Sequence, residues 1–334
     1  MISLFKKKVS AAEVDSEDEP LTLGEKVLNG FMITIGVAIL VILGILIYLI
    51  TGHTNPVMDK KFTYTCESKE EQIKNTNDNI MKYYLQTIDP VYDSIFISPL
   101  GIQKTLYDYY NNQDKNNPAV FQYFNNGYKS WSQSGELLNY DCFSSVLPNT
   151  VDSKEALLGK VKDLTDGYIK SLGGDDDYDT NTLLSICSIN YPIKDAYFDD
   201  TLNMVWYSGV ANYKKTSDYE AVSLPLSNEK YTVYLIDGDL TNFTFDDFKK
   251  KDVNLMIDAY TWQAHGSING LATALNNQEC ELNILTQFGF NDSNIEKKEL
   301  ADLDTESTLY YMNEYSVIVT DTETGTILAI GKQK

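Results

Sequence analysis

The chain is 334 residues long and carries a formal net charge of -21, from 48 acidic and 27 basic residues. Such an acidic chain is repelled by nucleic acid and by anionic membrane surfaces, so we expect no nucleic-acid partner. Every basic residue is lysine. Because arginine supplies the planar fork that binds phosphate, carboxylate and guanine through paired hydrogen bonds, sites of that type are excluded.

A run of twenty uncharged, mostly apolar residues, Phe31–Ile50, lies near the N-terminus. As a helix with a rise of about 1.5 Å per residue it measures about 30 Å, the thickness of the hydrocarbon core of a bilayer. The alternative is a cleaved signal peptide, but those segments have shorter apolar cores, and no small-residue cleavage site follows Ile50. We therefore predict an uncleaved transmembrane helix at residues 27–51, after a disordered cytoplasmic tail at residues 1–26.

The distribution of lysines around this span predicts its orientation. Four lysines precede the span, and the nearest two on its far side are Lys60 and Lys61. Because an excess of positive charge marks the cytoplasmic side, we predict a single-pass protein of the cell membrane with a cytoplasmic N-terminus. A tether at residues 52–68 then leads to an extracytoplasmic domain at residues 69–334. The membrane is therefore the first partner that the sequence predicts.

The residues after the tether alternate between helical and extended patterns without a fixed repeat, which predicts an α+β fold. Helices are predicted at Lys69–Ile88, Pro99–Asn112, Ser153–Leu172, Leu271–Leu275 and Asn283–Phe288. Strands are predicted at Ser94–Ile97, Leu183–Ile189, Met204–Tyr207, Tyr219–Leu226, Tyr231–Ile236 and Val253–Ile257. A β-hairpin, Tyr315–Thr320 and Thr326–Ile330, ends the chain. The strand Leu183–Ile189 is almost wholly apolar, which is typical of a central strand covered on both faces.

The cysteines do not form a metal-binding pattern. The chain has four of them, none in a C-x-x-C pair: Cys66, Cys142, Cys187 and Cys280. The spacing of metal ligands is not met. Disulfides and buried free thiols both stay open as interpretations, and the free thiol is favoured for Cys187 because it lies in an apolar run.

No group of residues predicts a catalytic, cofactor-binding or metal site. His265 lies two residues from Ser267 in a predicted turn, without the pattern of a hydrolase nucleophile. The acidic loop Asp175–Asp179 lacks the central glycine and the final glutamate of a calcium loop. The sequence therefore predicts a protein that is not an enzyme and that needs no cofactor.

Six stretches of the chain, in order, resemble the motifs of one family. They are 94–102 (SIFISPLGI), 161–172 (VKDLTDGYIKSL), 183–191 (LLSICSINY), 204–225 (MVWYSG followed by VSLP), 282–292 (LNILTQFGFND) and 324–332 (TGTILAIGK). Together they resemble the serpins. The resemblance assigns eight positions to family motifs: Ser98, Pro99, Thr165, Gly167, Gly209, Pro225, Gly325 and Gly331. It implies an α+β fold of mixed helices around a central β-sheet with a closing hairpin, reduced relative to a full serpin.

The resemblance also implies what inhibition of a protease would require. A protease cleaves a long exposed loop, which then inserts into the sheet as a new strand through a hinge of small residues. Only 24 residues, 291–314, separate Phe290 from Tyr315, and they must supply strands as well as a loop. They contain no hinge of small residues, and their Glu and Lys side chains are costly to bury unpaired in a sheet.

The sequence therefore predicts a non-inhibitory, membrane-anchored module that binds or scaffolds a protein or peptide at the cell surface. The alternative is an inhibitor of serine or cysteine peptidases that uses residues 293–314 as a short binding loop, with a protease as its partner.

Overall fold

The computed structural model describes residues 68–89, 94–112, 139–172, 182–267, 281–290, 295–300, 308–311 and 314–333. All of them fall within one compact unit, Val57–Lys334. The predicted tail, the predicted transmembrane helix and the tether up to residue 67 lie outside the described residues, as does the predicted helix Leu271–Leu275. Within the described ranges, no helix is long and apolar enough to cross a membrane.

Three α-helices occur in the described ranges: α1 (Lys69–Tyr83), α2 (Pro99–Asn112) and α3 (Lys154–Leu164). Each begins after a serine whose hydroxyl oxygen accepts a hydrogen bond from the backbone N–H three residues later, at 3.2 Å for Ser68, 3.0 Å for Ser98 and 3.1 Å for Ser153. A π-helical turn, Tyr84–Ile88, continues α1. The predicted helix Lys69–Ile88 is therefore confirmed, and so is the helix that follows Ser98.

The predicted helix Ser153–Leu172 is wrong beyond Leu164, where α3 ends. Asp166 and Gly167 have φ angles of 49° and 73°, in the left-handed region through which a right-handed helix cannot continue. The N–H of Gly167 donates a hydrogen bond of 2.8 Å to the carbonyl of Lys162 and so closes the helix terminus. The second half of the predicted helix is a turn followed by irregular chain.

Fourteen β-strands occur in the described ranges. In chain order they are β1 (Ile95–Ile97), β2 (Phe143–Val146), β3 (Thr182–Ile189), β4 (Tyr197–Asp199), β5 (Met204–Lys215), β6 (Tyr219–Pro225), β7 (Tyr231–Gly238), β8 (Lys249–Asp258), β9 (Thr261–Ser267), β10 (Glu281–Gly289), β11 (Glu296–Lys297), β12 (Thr308–Tyr311), β13 (Tyr315–Asp321) and β14 (Ile327–Gln333). All six predicted strands are confirmed. β5 runs well beyond the predicted Met204–Tyr207, because its polar half pairs with β8 and β6.

Ten of these strands form one sheet. Its order is β1-β14-β13-β7-β6-β5-β4-β11, and β8 pairs with β5 while β12 pairs with β8. β13 and β14 form the predicted C-terminal hairpin, whose turn contains Gly325 at a φ of 70°. β1 pairs with β14 along Ile95–Ile97, so the hairpin at the end of the chain lies beside the strand that leads into α2.

The other four strands form a second sheet in the order β2-β3-β10-β9. The prediction of a helix at Asn283–Phe288 is wrong, because these residues lie in β10. β10 is buried on both faces, and its residues 283–288 (NILTQF) lack the strict polar alternation that distinguishes a half-buried strand from a helix. His265, predicted to lie in a turn, is in β9 opposite Leu285.

The four-stranded sheet is covered on both of its faces. Leu183 and Ile189 of β3 belong to the main core, which also holds buried residues of the ten-stranded sheet, α1 and α2. Leu184 and Ile186 of β3 pack with Val161 of α3 in a smaller core on the opposite face. The prediction that Leu183–Ile189 is a central strand covered on both faces is therefore confirmed.

Candidate functional site

The strand β3 is paired on both of its sides. Eight register pairs join it to the parallel strand β10, from Thr182 opposite Glu281 to Ile189 opposite Phe288. Four register pairs join it to the antiparallel strand β2. A new strand beside β3 therefore has to break one of these two hydrogen-bonded ladders before it can be accommodated.

An aromatic cluster holds the second half of β10 in place. The ring of Phe288 stacks on Trp262 and on Phe96, with centroid separations of 5.8 Å and 5.3 Å. All three rings are buried, and the hydroxyl of Thr286 donates a hydrogen bond to the carbonyl of Phe96. Aromatic pairs of this kind contribute about 0.5–1.5 kcal/mol beyond the area they bury. Separation of β3 from β10 therefore disturbs the packing between the two sheets as well as the ladder.

The chain that follows β10 is fixed along the outer edge of β4. We call residues 295–300 the anchored segment. Within it β11 pairs in parallel with β4, with Glu296 opposite Tyr197. The N–H of Lys298 donates a hydrogen bond of 2.9 Å to the carbonyl of Phe198. The indole N–H of Trp206 donates one of 3.0 Å to the carbonyl of Lys298. Backbone hydrogen bonds to β4 and a side-chain hydrogen bond from Trp206 of β5 therefore hold the anchored segment in place.

Asp199, the last residue of β4, secures the end of the anchored segment. One carboxylate oxygen accepts a hydrogen bond of 2.7 Å from the N–H of Leu300. The other accepts bonds of 2.8 Å and 2.9 Å from the N–H groups of Thr201 and Leu202. These bonds, that from Leu300 first, hold the pKa of Asp199 below its ordinary value because they favour the ionised carboxylate. One side chain thus organises two separate loops.

Lys298 adds a cation–π contact to the same attachment. Its Nζ lies 4.5 Å from the ring centroid of Tyr197 and 5.3 Å from that of Trp206. Those two rings pack at a centroid separation of 4.7 Å. The neighbouring Lys297 forms an exposed ion pair of 2.8 Å with Asp200, which contributes little in water.

A groove with a volume of about 1190 Å³ lies between α1 and the chain that follows β7. Apolar and aromatic side chains line it: Ile73, Met81, Leu85, Tyr234, Phe243 and Phe245. Charged side chains also contribute to its lining: Glu70, Lys74, Asp78, Lys82, Asp246 and Glu323. Binding sites generally combine a concave apolar surface with a few polar groups, so this groove is a candidate binding surface.

The motif positions near α2 and α3 lie at helix termini. The hydroxyl of Ser98 caps α2 and donates a hydrogen bond of 2.6 Å to the carbonyl of Leu328 in β14, and Pro99 is the first residue of α2. The hydroxyl of Thr165 donates to the carbonyl of Val161 at 2.8 Å, and Gly167 supplies the left-handed turn that ends α3. These positions define how two helices start and stop.

The remaining motif positions lie in the ten-stranded sheet and its turns. Gly331 of β14 allows the closest approach, because a Cβ there would lie 2.3 Å from the carbonyl oxygen of Ile95. A Cβ on Gly209 would lie 2.9 Å from the hydroxyl of Tyr207. Pro225 ends β6, and Gly325 supplies the left-handed residue of the C-terminal hairpin. None of the eight positions lines the anchored segment, so the motifs mark the framework of the fold.

Asp199 and Trp206 were not singled out from the sequence, although they hold the anchored segment. The stretch Asp199-Asp200-Thr201 carries the signal of an aspartate that binds its own backbone two residues later, but nothing local indicates a partner about one hundred residues away. Among the described residues, no group of three or more His, Cys, Asp and Glu side chains is placed to hold a metal ion. The acidic loop Asp175–Asp179 lies outside the described residues.

The fold is similar to those of solved serpins. SRPN18 of Anopheles gambiae matches with a TM-score of 0.55 and 9% identity, over 79% of this chain and 98% of that chain. A serpin of Schistosoma mansoni matches with a TM-score of 0.53 and 13% identity, over 76% and 98%. Serpin48 of the insect Tenebrio molitor matches with a TM-score of 0.55 and 9% identity, over 80% and 99%. Comparisons with protein-family models and with curated protein sequences find no match.

The chain therefore has a divergent serpin-like fold, as the sequence motifs predicted. It is built from mixed sheets with few helices in the described ranges. At 9–13% identity this likeness concerns the fold, and the activity has to be argued from the residues of this chain.

Proposed function

We propose that this protein is a membrane-anchored, non-inhibitory serpin-like module that binds or scaffolds other proteins at the cell surface. The observation that carries the proposal is the attachment of residues 295–300 to β4. These residues belong to the stretch 291–314, which in an inhibitor by loop insertion has to be free to move. No catalytic role forms part of the proposal.

Chain length supports the proposal. Seven residues, 301–307, connect the anchored segment to β12, whereas β3 is eight residues long. A strand inserted along the whole of β3 needs about one residue for each 3.3 Å of the sheet, so seven residues are too few even without connecting turns. Insertion therefore requires β11 to leave β4 first.

The chemistry of the anchored segment supports it as well. Residues 296–299 read Glu-Lys-Lys-Glu, and all four side chains are exposed. Transferring them into the middle of the four-stranded sheet would place charges on two covered faces, with a desolvation penalty of several kcal/mol for each unpaired charge. Leaving β4 also breaks the hydrogen bond between Asp199 and Leu300. Both the release of the segment from β4 and the burial of its charges in the sheet therefore cost free energy.

The groove beside α1 and the predicted membrane span support the other half of the proposal. The groove is a concave, partly apolar surface, and a permanent anchor suits a protein that is not consumed when it acts. In this arrangement Phe31–Ile50 crosses the membrane and the serpin-like unit faces outwards.

The experiment uses the full-length chain in detergent micelles, incubated with a panel of serine and cysteine proteases. We expect no covalent complex that survives denaturation in SDS, because insertion of the loop is unfavourable. A protease that forms such a complex in proportion to the protein added overturns the proposal. Membrane anchoring is tested separately: the full-length chain is expected to resist alkaline extraction of membranes, and a variant without residues 27–51 is expected to be extracted.

A second function, reversible inhibition by a short loop, is favoured by one observation. The anchored segment is held extended by bonds at Lys298 and Leu300, and such rigidity lowers the entropic cost of binding. In that case the same panel shows saturable inhibition without a covalent complex, and substitutions within 293–314 abolish it. If the panel shows neither a covalent complex nor saturable inhibition, the result supports the non-inhibitory module.

A further inference from the structure

Two cysteines in neighbouring parts of the four-stranded sheet lie side by side. Cys142 and Cys187 are 3% and 1% exposed and belong to the same core. Phe143 is opposite Cys187, and the N–H of Ser188 donates a hydrogen bond of 2.9 Å to the carbonyl of Cys142. Both cysteines are free thiols in this structure.

The backbone geometry suits a covalent link. Opposite residues on antiparallel strands have Cα atoms about 4.5–5.5 Å apart, and one residue along a strand adds about 3.4 Å, which places the Cα atoms of Cys142 and Cys187 about 6 Å apart. Disulfides join Cα atoms about 4.4–6.8 Å apart. Cys142 lies in the turn just before β2, where the alternation of a strand does not apply, so its side chain enters the same core as Cys187.

We propose that Cys142 and Cys187 are a disulfide site that fastens β2 covalently to β3. The oxidant is a disulfide, either of a small molecule such as oxidised glutathione or of a protein. One cysteine thiolate attacks a sulfur of that disulfide, forms a mixed disulfide and releases one thiol of the oxidant. The second cysteine then attacks the cysteine sulfur of the mixed disulfide and releases the second thiol of the oxidant. Two cysteine thiols are oxidised, one disulfide is reduced to two thiols, and both protons pass to the released sulfurs.

Burial decides when this reaction takes place. Burial and the neighbouring Cys187 raise the pKa of Cys142, and the packed core keeps an external oxidant away from both sulfurs. The bond therefore forms before β2 has packed against β3, or when β2, which has only four register pairs, detaches. Once the disulfide has formed, burial in the packed core protects it from reductants in the same way.

The disulfide changes what the sheet can do, independently of the proposed function. It closes the stretch 142–187, which includes α3 and both partners of the β2–β3 ladder. Separation at β2–β3 is then blocked by a covalent bond. The ladders that join β10 to β3 and to β9 would carry no such bond.

The test uses the full-length chain in detergent, folded in the presence of oxidised glutathione. The protein is denatured without reductant, treated with N-ethylmaleimide, digested and analysed by mass spectrometry. We expect the peptides of Cys142 and Cys187 as one cross-linked species, two hydrogens lighter than their sum, without maleimide. Maleimide on either cysteine, or a link from either one to Cys66 or Cys280, overturns the proposal.

Matched variants provide a second readout. Reductant added under unfolding conditions is expected to lower the Tm of the wild-type protein and of Cys66→Ala, but to leave that of Cys142→Ala unchanged. A Cys142→Ala protein with the same reductant-dependent shift as the wild type overturns the proposal. If Cys142→Ala does not fold, the peptide map of the wild-type protein decides alone.

Discussion

The carboxylate of Asp199 and the backbone N–H of Leu300 are joined by a hydrogen bond of 2.7 Å that spans 101 residues of chain. Through it, the last residue of β4 positions the end of the segment that follows β10. The same carboxylate also accepts hydrogen bonds from the N–H groups of Thr201 and Leu202 in the following turn. One buried side chain therefore fixes the end of the anchored segment.

The first prediction concerns the release of the anchored segment. Asp199→Asn replaces one accepting oxygen by an NH₂ group, which cannot accept a hydrogen bond from Leu300 or from the turn at Thr201 and Leu202. We expect limited proteolysis within residues 291–307 to become several-fold faster, measured by mass spectrometry of the fragments. Asp200→Asn is the control, because it removes only an exposed ion pair with Lys297. Equal cleavage rates for the two variants contradict the assignment.

The second prediction is a dependence of stability on pH. The pKa of Asp199 is lowered in the folded protein, so the unfolded chain takes up this proton at a higher pH. The contribution is fully present above the ordinary aspartate value of about 3.9 and is lost as the pH falls towards the folded value. Urea unfolding below about pH 4 is therefore expected to show a steeper loss for the wild-type protein than for Asp199→Asn. Parallel curves would show that the carboxylate does not titrate as described.

The third prediction concerns the close approach of β14 to β1. A Cβ on Gly331 would lie 2.3 Å from the carbonyl oxygen of Ile95 and 2.8 Å from the ring of Phe96. Because backbone has to move, we expect Gly331→Ala to lower the free energy of unfolding by about 1–3 kcal/mol. Chemical denaturation monitored by circular dichroism measures this change.

A matched glycine provides the control for that experiment. Gly159 lies inside α3, and a Cβ there would meet nothing within 4 Å. Gly159→Ala is expected to raise stability by about 0.5–1 kcal/mol, because alanine is the better helix former. A loss of stability in both variants would point to a general intolerance of alanine and would contradict the contact assigned to Gly331.

The fourth prediction distinguishes two serine caps. The hydroxyl of Ser98 both accepts from the N–H of Gly101 and donates to the carbonyl of Leu328, in a buried environment. Ser98→Ala therefore removes a cap and leaves a buried carbonyl with one bond fewer, at a cost of about 2–3 kcal/mol. Ser153→Ala removes only an exposed cap, at a cost of about 1 kcal/mol. Equal losses in thermal unfolding would mean that the bond to Leu328 contributes nothing.

Local sequence signals predicted much of this fold. Helical spacing of apolar residues located α1 and α2, and the almost wholly apolar stretch Leu183–Ile189 indicated a strand in the middle of a sheet. The prediction of a helix at Asn283–Phe288 failed for a physical reason. A buried strand next to a parallel partner shows no alternation of polar and apolar residues. The polar half of β5 was missed since its stability comes from pairing with β8, which no local pattern reveals.

The candidate site was harder to predict than the fold. The shortness of 291–314 was visible in the sequence, but the attachment of the anchored segment to β4 was not, since Leu300 lies 101 residues from the carboxylate that holds it. The contacts of Lys298 with Tyr197 and Trp206 also join residues that are far apart in the sequence. Interactions between remote residues depend on the assembled sheet, and a single sequence carries no record of them.

The pairing of β11 with β4 also has a consequence for neighbouring molecules. An uncovered strand edge is a template for pairing with another chain and so promotes aggregation. Here β11 covers part of the outer edge of β4 with the protein's own backbone, and it carries the exposed Lys297, with the exposed Lys298 directly after it. In the proposed membrane-anchored arrangement, copies of the protein would meet at high local concentration. The anchored segment thereby hinders edge-to-edge strand pairing between molecules at this end of the ten-stranded sheet.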